Sequence, residues 1–567
     1  MKSTYKINLI FAALFLCVIV LAFSAFNVNQ ESAQNEISAP KENLILKEVN
    51  KNFSNSVQGT VNLFTEKSDN SAADVRGFVR SSKLLTINKE VLDGLNSSRP
   101  QHILLPLKLA DGSTINLKLV KIEIRSEGYT VREVNASGVK PAEIADGTFY
   151  QGVVENNDRS LVTFSVFENS VMAIISTDYG NYVLGAIKDN SKRLTNDYIL
   201  YNDNDIIQKA GFECGSGDAY DKFYKDPVLT NRNGNNDATT SPVDIYFVCD
   251  YQMYLDNGSS ITATQNFVEG AFVHVKTIYQ NEGITVNIQA VDVFSSADPY
   301  RNLNTSTAIL EKFGDNTQSN FQGDLAHLLS TGHGQQLGGI AWINVLCQSY
   351  EPSSHSGRYA FSNIEGNYLP FPTYSWTVMV IAHETGHNFG SMHTHACVWP
   401  TISGQIDSCY TSEGGCVSGT EPNNNGTVMS YCHLNGAINL VNGFGSLPHD
   451  TIVDRYNKAL CLDNPINSSE APVAFNLLQN YPNPFNPSTN IKFALPQDGL
   501  VTLRVYDVSG REVAKLISSQ YYPIGIFSYT LDASTLNLAS GVYLYKLDVS
   551  RENNSVYSEI KKMVLIK

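Results

Sequence analysis

Residues 383–393 read HETGHNFGSMH, which places three imidazoles and one carboxylate where a single metal ion could use them all. On a helix, His383 and His387 are four residues apart, so both rings leave the same face. Glu384 stands beside the first ring, where it can reach a water at the metal without binding the metal. Gly390 can take backbone angles closed to other residues, so it can end the helix and turn the chain back. That turn lets His393 offer a third nitrogen. Three protein ligands and one open position describe a catalytic zinc site rather than a structural one. A surface helix with two histidines is the plain alternative for the first five residues, but the eleven-residue pattern fixes five positions at once.

The sequence on either side supplies a frame for that helix. Residues 243–249 (VDIYFVC) read as a buried strand. Helical spacing follows over 261–278 through Phe267, Ala271, Val275 and Ile278, then a strand over 284–294 and a helix over 306–313. Residues 337–346 (LGGIAWINVL) are a further strand candidate, and the helix bearing the motif is expected from about Ser375 to Phe389. Strands and helices in alternation suit one compact α/β domain over 240–466, with a twisted mixed sheet and an active-site helix. Before it, 75–200 is strand-like. Residues 115–124 alternate apolar and polar, and 160–177 hold two apolar runs parted by Glu168 and Asn169. Residues 230–240 (TNRNGNNDATT) read as a polar, cleavable linker and 467–474 as a second linker. From 475 to 567 the pattern is all-β. Residues 501–508 and 541–549 alternate, and Ser509 with Gly510 marks a hairpin turn, which suits a small Ig-like sandwich.

At 567 residues the chain exceeds what one core supports, and 42% hydrophobic with 17% charged residues suits folded domains rather than disorder. A net charge of −15 argues against a nucleic-acid surface. Lys2 and Lys6 precede an apolar run over 9–26 with small residues at Ala22, Ser24 and Ala25, the pattern of an export signal over 1–25; a membrane anchor is the alternative. Of nine cysteines, Cys17 lies in that run and six surround the motif: Cys347, Cys397, Cys409, Cys416, Cys432 and Cys461. An even cluster in an exported chain reads as disulfides. Metal ligation by these thiols is the weaker alternative, since no CxxC pair occurs.

Downstream of the motif, GTVMSY at 426–431 is similar to the Met-turn of metzincin metalloproteases. Residues 243–464 resemble the catalytic domain of reprolysin-type, adamalysin-like metzincins, matching at His383, Glu384, His387, Gly390, His393 and Met429. The resemblance implies a zinc endopeptidase with the three histidines as ligands, Glu384 as general base then general acid, and Met429 as an apolar floor. It departs from the family at Thr394, where Asp is usual, and at His395. These departures point to a bacterial branch. Tyr431 resembles the metal-approaching tyrosine of astacin-like and serralysin-like enzymes, or is a packed structural residue.

The same resemblance implies a calcium site of Asp244, Asp324, the Cys461 carbonyl and Asn464, against the alternative of solvated aspartates and a capping asparagine. It also implies a Cys347–Cys461 disulfide, which leaves Cys397–Cys432 and Cys409–Cys416 as the remaining pairs. The strand at 337–346 resembles the edge that binds extended polypeptide substrates by strand addition. Residues 60–200 resemble the family's propeptide, most visibly TFYQG at 148–152, which gives a β-rich propeptide over 26–235. FECG at 212–215 resembles a cysteine switch, with Cys214 holding the open zinc position shut; a structural cysteine is the alternative.

Residues 475–567 resemble the type A sorting domain of the type IX secretion system. The carrying residues are LQNYPNPFNP at 478–487, YDVSGR at 506–511, LASGVY at 538–543 and the basic end at Lys561, Lys562 and Lys567. The expectation is a latent, monomeric zinc endopeptidase of a Gram-negative bacterium. Its partners would be extended polypeptides and the secretion machinery, and it would be secreted or held at the cell surface. A pappalysin-like metzincin and a non-catalytic surface adhesin are the rival readings.

Overall fold

The computed structural model describes residues 42–53, 59–67, 75, 77–189, 191–207, 214–216, 241–318, 321–333, 337–364, 371–399, 404–419, 426–434, 437–463, 475–480, 483–496, 499–522, 525–534, 536, 538–551 and 554–566. The export signal, the linkers at 230–240 and 467–474, Asn464 and Lys567 lie outside the described residues. Residues 1–44 form a unit separate from 45–567.

The strand-like region before the linker folds into a nine-stranded antiparallel sheet. Its spatial order is Phe64–Glu66, Ser82–Ile87, Leu194–Asn202, Gly180–Lys188, Ser170–Thr177, Ser160–Phe167, Gly147–Val154, Thr114–Ile122 and His102–Lys108. Ser160–Phe167 and Ser170–Thr177 are buried at every residue, so both faces of the sheet are covered there. Side chains alternate between two cores. Tyr150, Phe164, Val171 and Ile175 face one, while Phe149, Phe167, Met172 and Ile174 face the other.

That second core is shared with the domain that carries the motif. Its seven-stranded sheet uses β1 (Arg125–Asn135), β2 (Gly138–Pro141), β3 (Val243–Cys249), β4 (Val286–Phe294), β5 (Leu325–Ser330), β6 (Ile340–Ala341) and β7 (Tyr359–Asn363), in the order β6-β7-β5-β3-β4-β1-β2. The strands from β7 through β1 run parallel; β6 and β2 close the two edges antiparallel. The sheet therefore crosses the expected domain boundary, because β1 and β2 come from the region before the linker.

Helix α1 (Ile261–Asn281) lies between the two sheets, capped by the Ser260 hydroxyl on the Ala263 N–H, and buries residues around its whole circumference. Gly270 permits the contact: a Cβ there would sit 2.5 Å from Met172 Sδ. Arg125 on β1 grips the fully buried Glu269 of α1 with two hydrogen bonds of 2.7 and 2.9 Å. Helix α2 spans Ser306–Thr317, and α3, which bears the motif, spans Tyr374–Asn388.

Two expectations change. The strand expected over 337–346 shrinks to Ile340–Ala341. Asn344 takes φ +63°, and the Asn344 and Val345 N–H groups leave the sheet to satisfy the His387 and Asn388 carbonyls at the end of α3. The disulfides beyond Cys347–Cys461 also differ: the bridges are Cys397–Cys416 and Cys409–Cys432, not Cys397–Cys432 and Cys409–Cys416. Parallel bridges Ala396↔Glu413 and Gly404↔Val417 fold the loop back on itself. This brings the Cα atoms of Cys397 and Cys416 to 5.7 Å, so the pairs interleave.

The C-terminal region holds a three-stranded sheet (Asn476–Leu477, Ser488–Leu495, Gly525–Asp532) and a four-stranded sheet ordered Glu512–Tyr522, Gly499–Asp507, Gly541–Arg551 and Asn554–Leu565. Both are antiparallel, and one buried cluster draws Ile491 and Phe493 from the first and Leu503, Tyr545 and Leu547 from the second.

Candidate metal centre

Helix α3 buries every residue except Trp376, so His383 and His387 point into protein rather than solvent. Gly390 (φ +103°) turns the chain, and a Cβ there would lie 3.0 Å from Asn344 Oδ1. The turn is locked by the Gly390 N–H on the His387 carbonyl and the Ser391 N–H on the Gly386 carbonyl. It returns His393 to the other two rings. The three Nε2 atoms form a triangle with sides of 3.1, 3.2 and 3.2 Å.

Each ring is fixed from behind. His383 Nδ1 donates to the Val428 carbonyl at 2.7 Å, His387 Nδ1 to the Ser391 carbonyl at 2.7 Å, and His393 Nδ1 to Glu413 Oε1 at 2.9 Å. A carbonyl or carboxylate can only accept, so the proton of each ring sits on Nδ1 and three unprotonated Nε2 atoms converge. Nothing among those atoms can satisfy another, whereas a cation satisfies all three. Nitrogens about 2.05 Å from a tetrahedral zinc stand about 3.3 Å apart, close to the observed triangle. The donor set therefore fits zinc. Burial also keeps the rings neutral, the form a metal requires. It pushes His383 well below the usual imidazole range, His387 to about 3 and His393 to about 4.

Glu384 is fully buried beside the triangle, and its Oε1 has no hydrogen-bond partner among the described residues. Burial pushes its carboxyl well above the usual range. Gly339 leaves room for it, since a Cβ there would lie 2.2 Å from Oε1. Beneath the helix, Met429 is buried, with its sulfur 2.8 Å from where a Cβ on Gly386 would stand.

Cys214 stands beside the triangle. Its Sγ is 3.5 Å from Glu384 Oε2 and 3.6 Å from His387 Nε2, and it clusters with all three histidines. Burial first, and Glu384 second, push its thiol pKa well up. Tyr431 holds the Cys214 backbone at both ends: the hydroxyl accepts from the Cys214 N–H at 2.6 Å and donates to its carbonyl at 3.0 Å. The next residues run along β6. The Gly215 N–H donates to the Gly339 carbonyl at 3.0 Å, and the Ser216 hydroxyl bridges the Ala341 N–H and carbonyl at 3.0 and 3.1 Å.

Thr394 donates its N–H to the Met429 carbonyl, and His395 stacks behind His393 instead of joining the triangle. Glu413 and Gly339 were not singled out from the sequence, because each reaches the site only through tertiary folding. Asp244 and Asp324 are brought together, but by hydrogen bonds: Asp324 Oδ2 accepts the Asp244 N–H at 2.8 Å, and Asp244 Oδ1 accepts the Ser126 hydroxyl. Among the described residues no third acidic, histidine or cysteine side chain joins them in a metal-sized cluster. The calcium expectation therefore gains no support.

A buried imidazole triangle on a helix, closed by a glycine turn over a buried methionine, is the arrangement of a metallopeptidase. Comparison with known families agrees. Residues 239–439 match metallo-peptidase family M12, reprolysin type, and residues 479–566 match the secretion system C-terminal sorting domain. The first region is thus a reprolysin-type M12 metallopeptidase domain and the second a type IX sorting domain, which indicates export to the cell surface or beyond. Disintegrin and metalloproteinase domain-containing protein 19 from Homo sapiens is 23% identical over 338 residues, covering 54% of this chain and 32% of that protein. The Mus musculus protein of the same name is 22% identical, covering 54% and 33%. The chain thus spans about a third of the length of these relatives. Among solved structures, metalloproteinase-II from Bacteroides fragilis shows 12% identity and a TM-score of 0.31, covering 64% of this chain and 94% of that one. Latent PorU from Porphyromonas gingivalis shows 24% identity and a TM-score of 0.15, covering 17% and 10%.

Proposed function

We propose that this protein is a secreted zinc endopeptidase, made as a latent precursor and acting on extended polypeptides outside the cell. The observation that carries the reading is the convergence of three unprotonated Nε2 atoms beside a buried Glu384 carboxylate. The M12 match favours a reprolysin-type peptidase over a pappalysin-like one, and the intact triangle weighs against an adhesin.

His383, His387 and His393 would hold the zinc. When bound, zinc supplies Lewis acidity, lowering the pKa of a coordinated water to about 7 and polarising a carbonyl oxygen. Glu384 would take the proton from the attacking water and pass it to the leaving amine nitrogen. The β6 edge would pair with extended substrate backbone, the contacts now made by Gly215 and Ser216. Cys214 then accounts for latency: its sulfur fills the space where water must stand, and its chain occupies the substrate edge.

Glu384→Gln tests the assignment. We expect the processed variant to bind zinc like the parent and to cleave casein about 10²–10⁴-fold more slowly. Full activity in the variant, or parental cleavage insensitive to a zinc chelator, would overturn it.

A further inference from the structure

The loop between the third histidine and the methionine turn delivers a carboxylate to the metal centre. Glu413 is mostly buried, with its side chain 17% exposed. One oxygen, Oε1, accepts from His393 Nδ1 at 2.9 Å and lies 3.1 Å from His395 Nε2. The two rings stack almost flat, with centroids 4.8 Å apart and planes 11° from parallel. Their contacts meet on a single oxygen at hydrogen-bond lengths, which is two donors on one acceptor rather than three ligands round an ion.

The backbone around Glu413 is equally constrained. Its N–H donates to the His395 carbonyl at 3.1 Å, and its own carbonyl accepts from the Cys397 N–H at 3.0 Å. The Cys397–Cys416 disulfide closes the ring of chain that carries it. Of the three rings in the triangle, only His393 thus receives a carboxylate from this covalently closed loop, since His383 and His387 donate to backbone carbonyls. An ionised acceptor makes a stronger hydrogen bond than a neutral carbonyl and raises the basicity of the opposite ring nitrogen.

We propose that Glu413 is a positioning residue of the metal centre, fixing the His393 tautomer and strengthening its Nε2 as a ligand, with His395 holding the carboxylate oxygen in register. This rests on the zinc reading of the site. It also accounts for His395, which stands next to the position where the family pattern departs at Thr394.

The test is zinc affinity, measured on the full-length chain by competition with a chelator of known strength, alongside thermal unfolding of the zinc-free forms. Glu413→Ala should bind zinc about 10–100-fold more weakly while its zinc-free unfolding midpoint stays at the parental value. Glu413→Gln, which keeps an acceptor oxygen, should recover part of that loss, and His395→Phe should show a smaller loss of the same kind. Parental zinc affinity in Glu413→Ala would overturn the proposal. So would a loss that tracks a lowered zinc-free midpoint and is not recovered by glutamine, since that marks packing alone. A parent chain that bound no zinc would instead overturn the zinc reading, which separates the two failures.

Discussion

On the proposed latent-precursor reading, Cys214 and Tyr431 divide the work of closing the site. The sulfur stands against the imidazoles and Glu384, while the tyrosine hydroxyl holds the peptide unit that places it. Two buried hydrogen bonds contribute about 1–3 kcal/mol together. A Tyr431→Phe precursor should therefore open its site roughly 5–150-fold more often, and the lag before casein cleavage should shorten accordingly. Cys214→Ala should abolish the lag. A Tyr431→Phe precursor with the parental lag would show that the tyrosine does not hold the closed state. At this scale the sequence was legible where chemistry lies along one helix and its closing turn: His383, Glu384, His387 and His393 are fixed by local spacing. It was illegible where a loop folds back. Glu413 sits among Ser412, Gly414 and Gly415 with no local periodicity, and only the interleaved disulfides bring it behind His393.

Among the elements, helix α1 was legible because its apolar spacing is regular, and β3 because it is a short, mostly apolar run. Strand β5 was not seen, because His327 interrupts its pattern; the ring is buried and bonds to Ser362 at 2.7 Å. The pairing of β1 with β4 was not legible either, since parallel pairing between segments about 160 residues apart leaves no local mark. Charge placement identifies it afterwards. Arg125 and Arg132 on β1 each form a two-pronged bond, to Glu269 and Asp292. Arg125→Ala would leave Glu269 buried without its counter-charge, at a cost of about 3–5 kcal/mol. The measurement is chemical unfolding of the precursor. A midpoint equal to the parent's would mean that water replaces the guanidinium freely and that β1 does not anchor α1.

In the molecule as a whole, the expected propeptide and the metallopeptidase domain share one core and one sheet, so a cut within 230–240 need not separate them. Three kinds of contact cross between them: the β1–β4 ladder, the arginine pairs, and polar contacts to α1 and to the loop after Met429. His274 of α1 is the acid-sensitive member. It is fully buried, bonded to the Thr163 and Ser176 hydroxyls of the nine-stranded sheet, and burial holds its pKa at about 3. Its pKa in the associated form lies below the free value of about 6.5, so the separated form binds the extra proton first. Association is therefore unaffected above about pH 6.5 and weakens as pH falls toward 3. At pH 4.5 the two-unit gap amounts to about 2.7 kcal/mol, or roughly 100-fold in the association constant. The informative quantity is the difference between the parent and a His274→Gln chain, both cut in the linker. Size-exclusion chromatography across pH 7.5 to 4 should show the parental fragments separating at a higher pH than the His274→Gln fragments. Identical separation profiles would mean that His274 plays no part in how acid loosens this precursor.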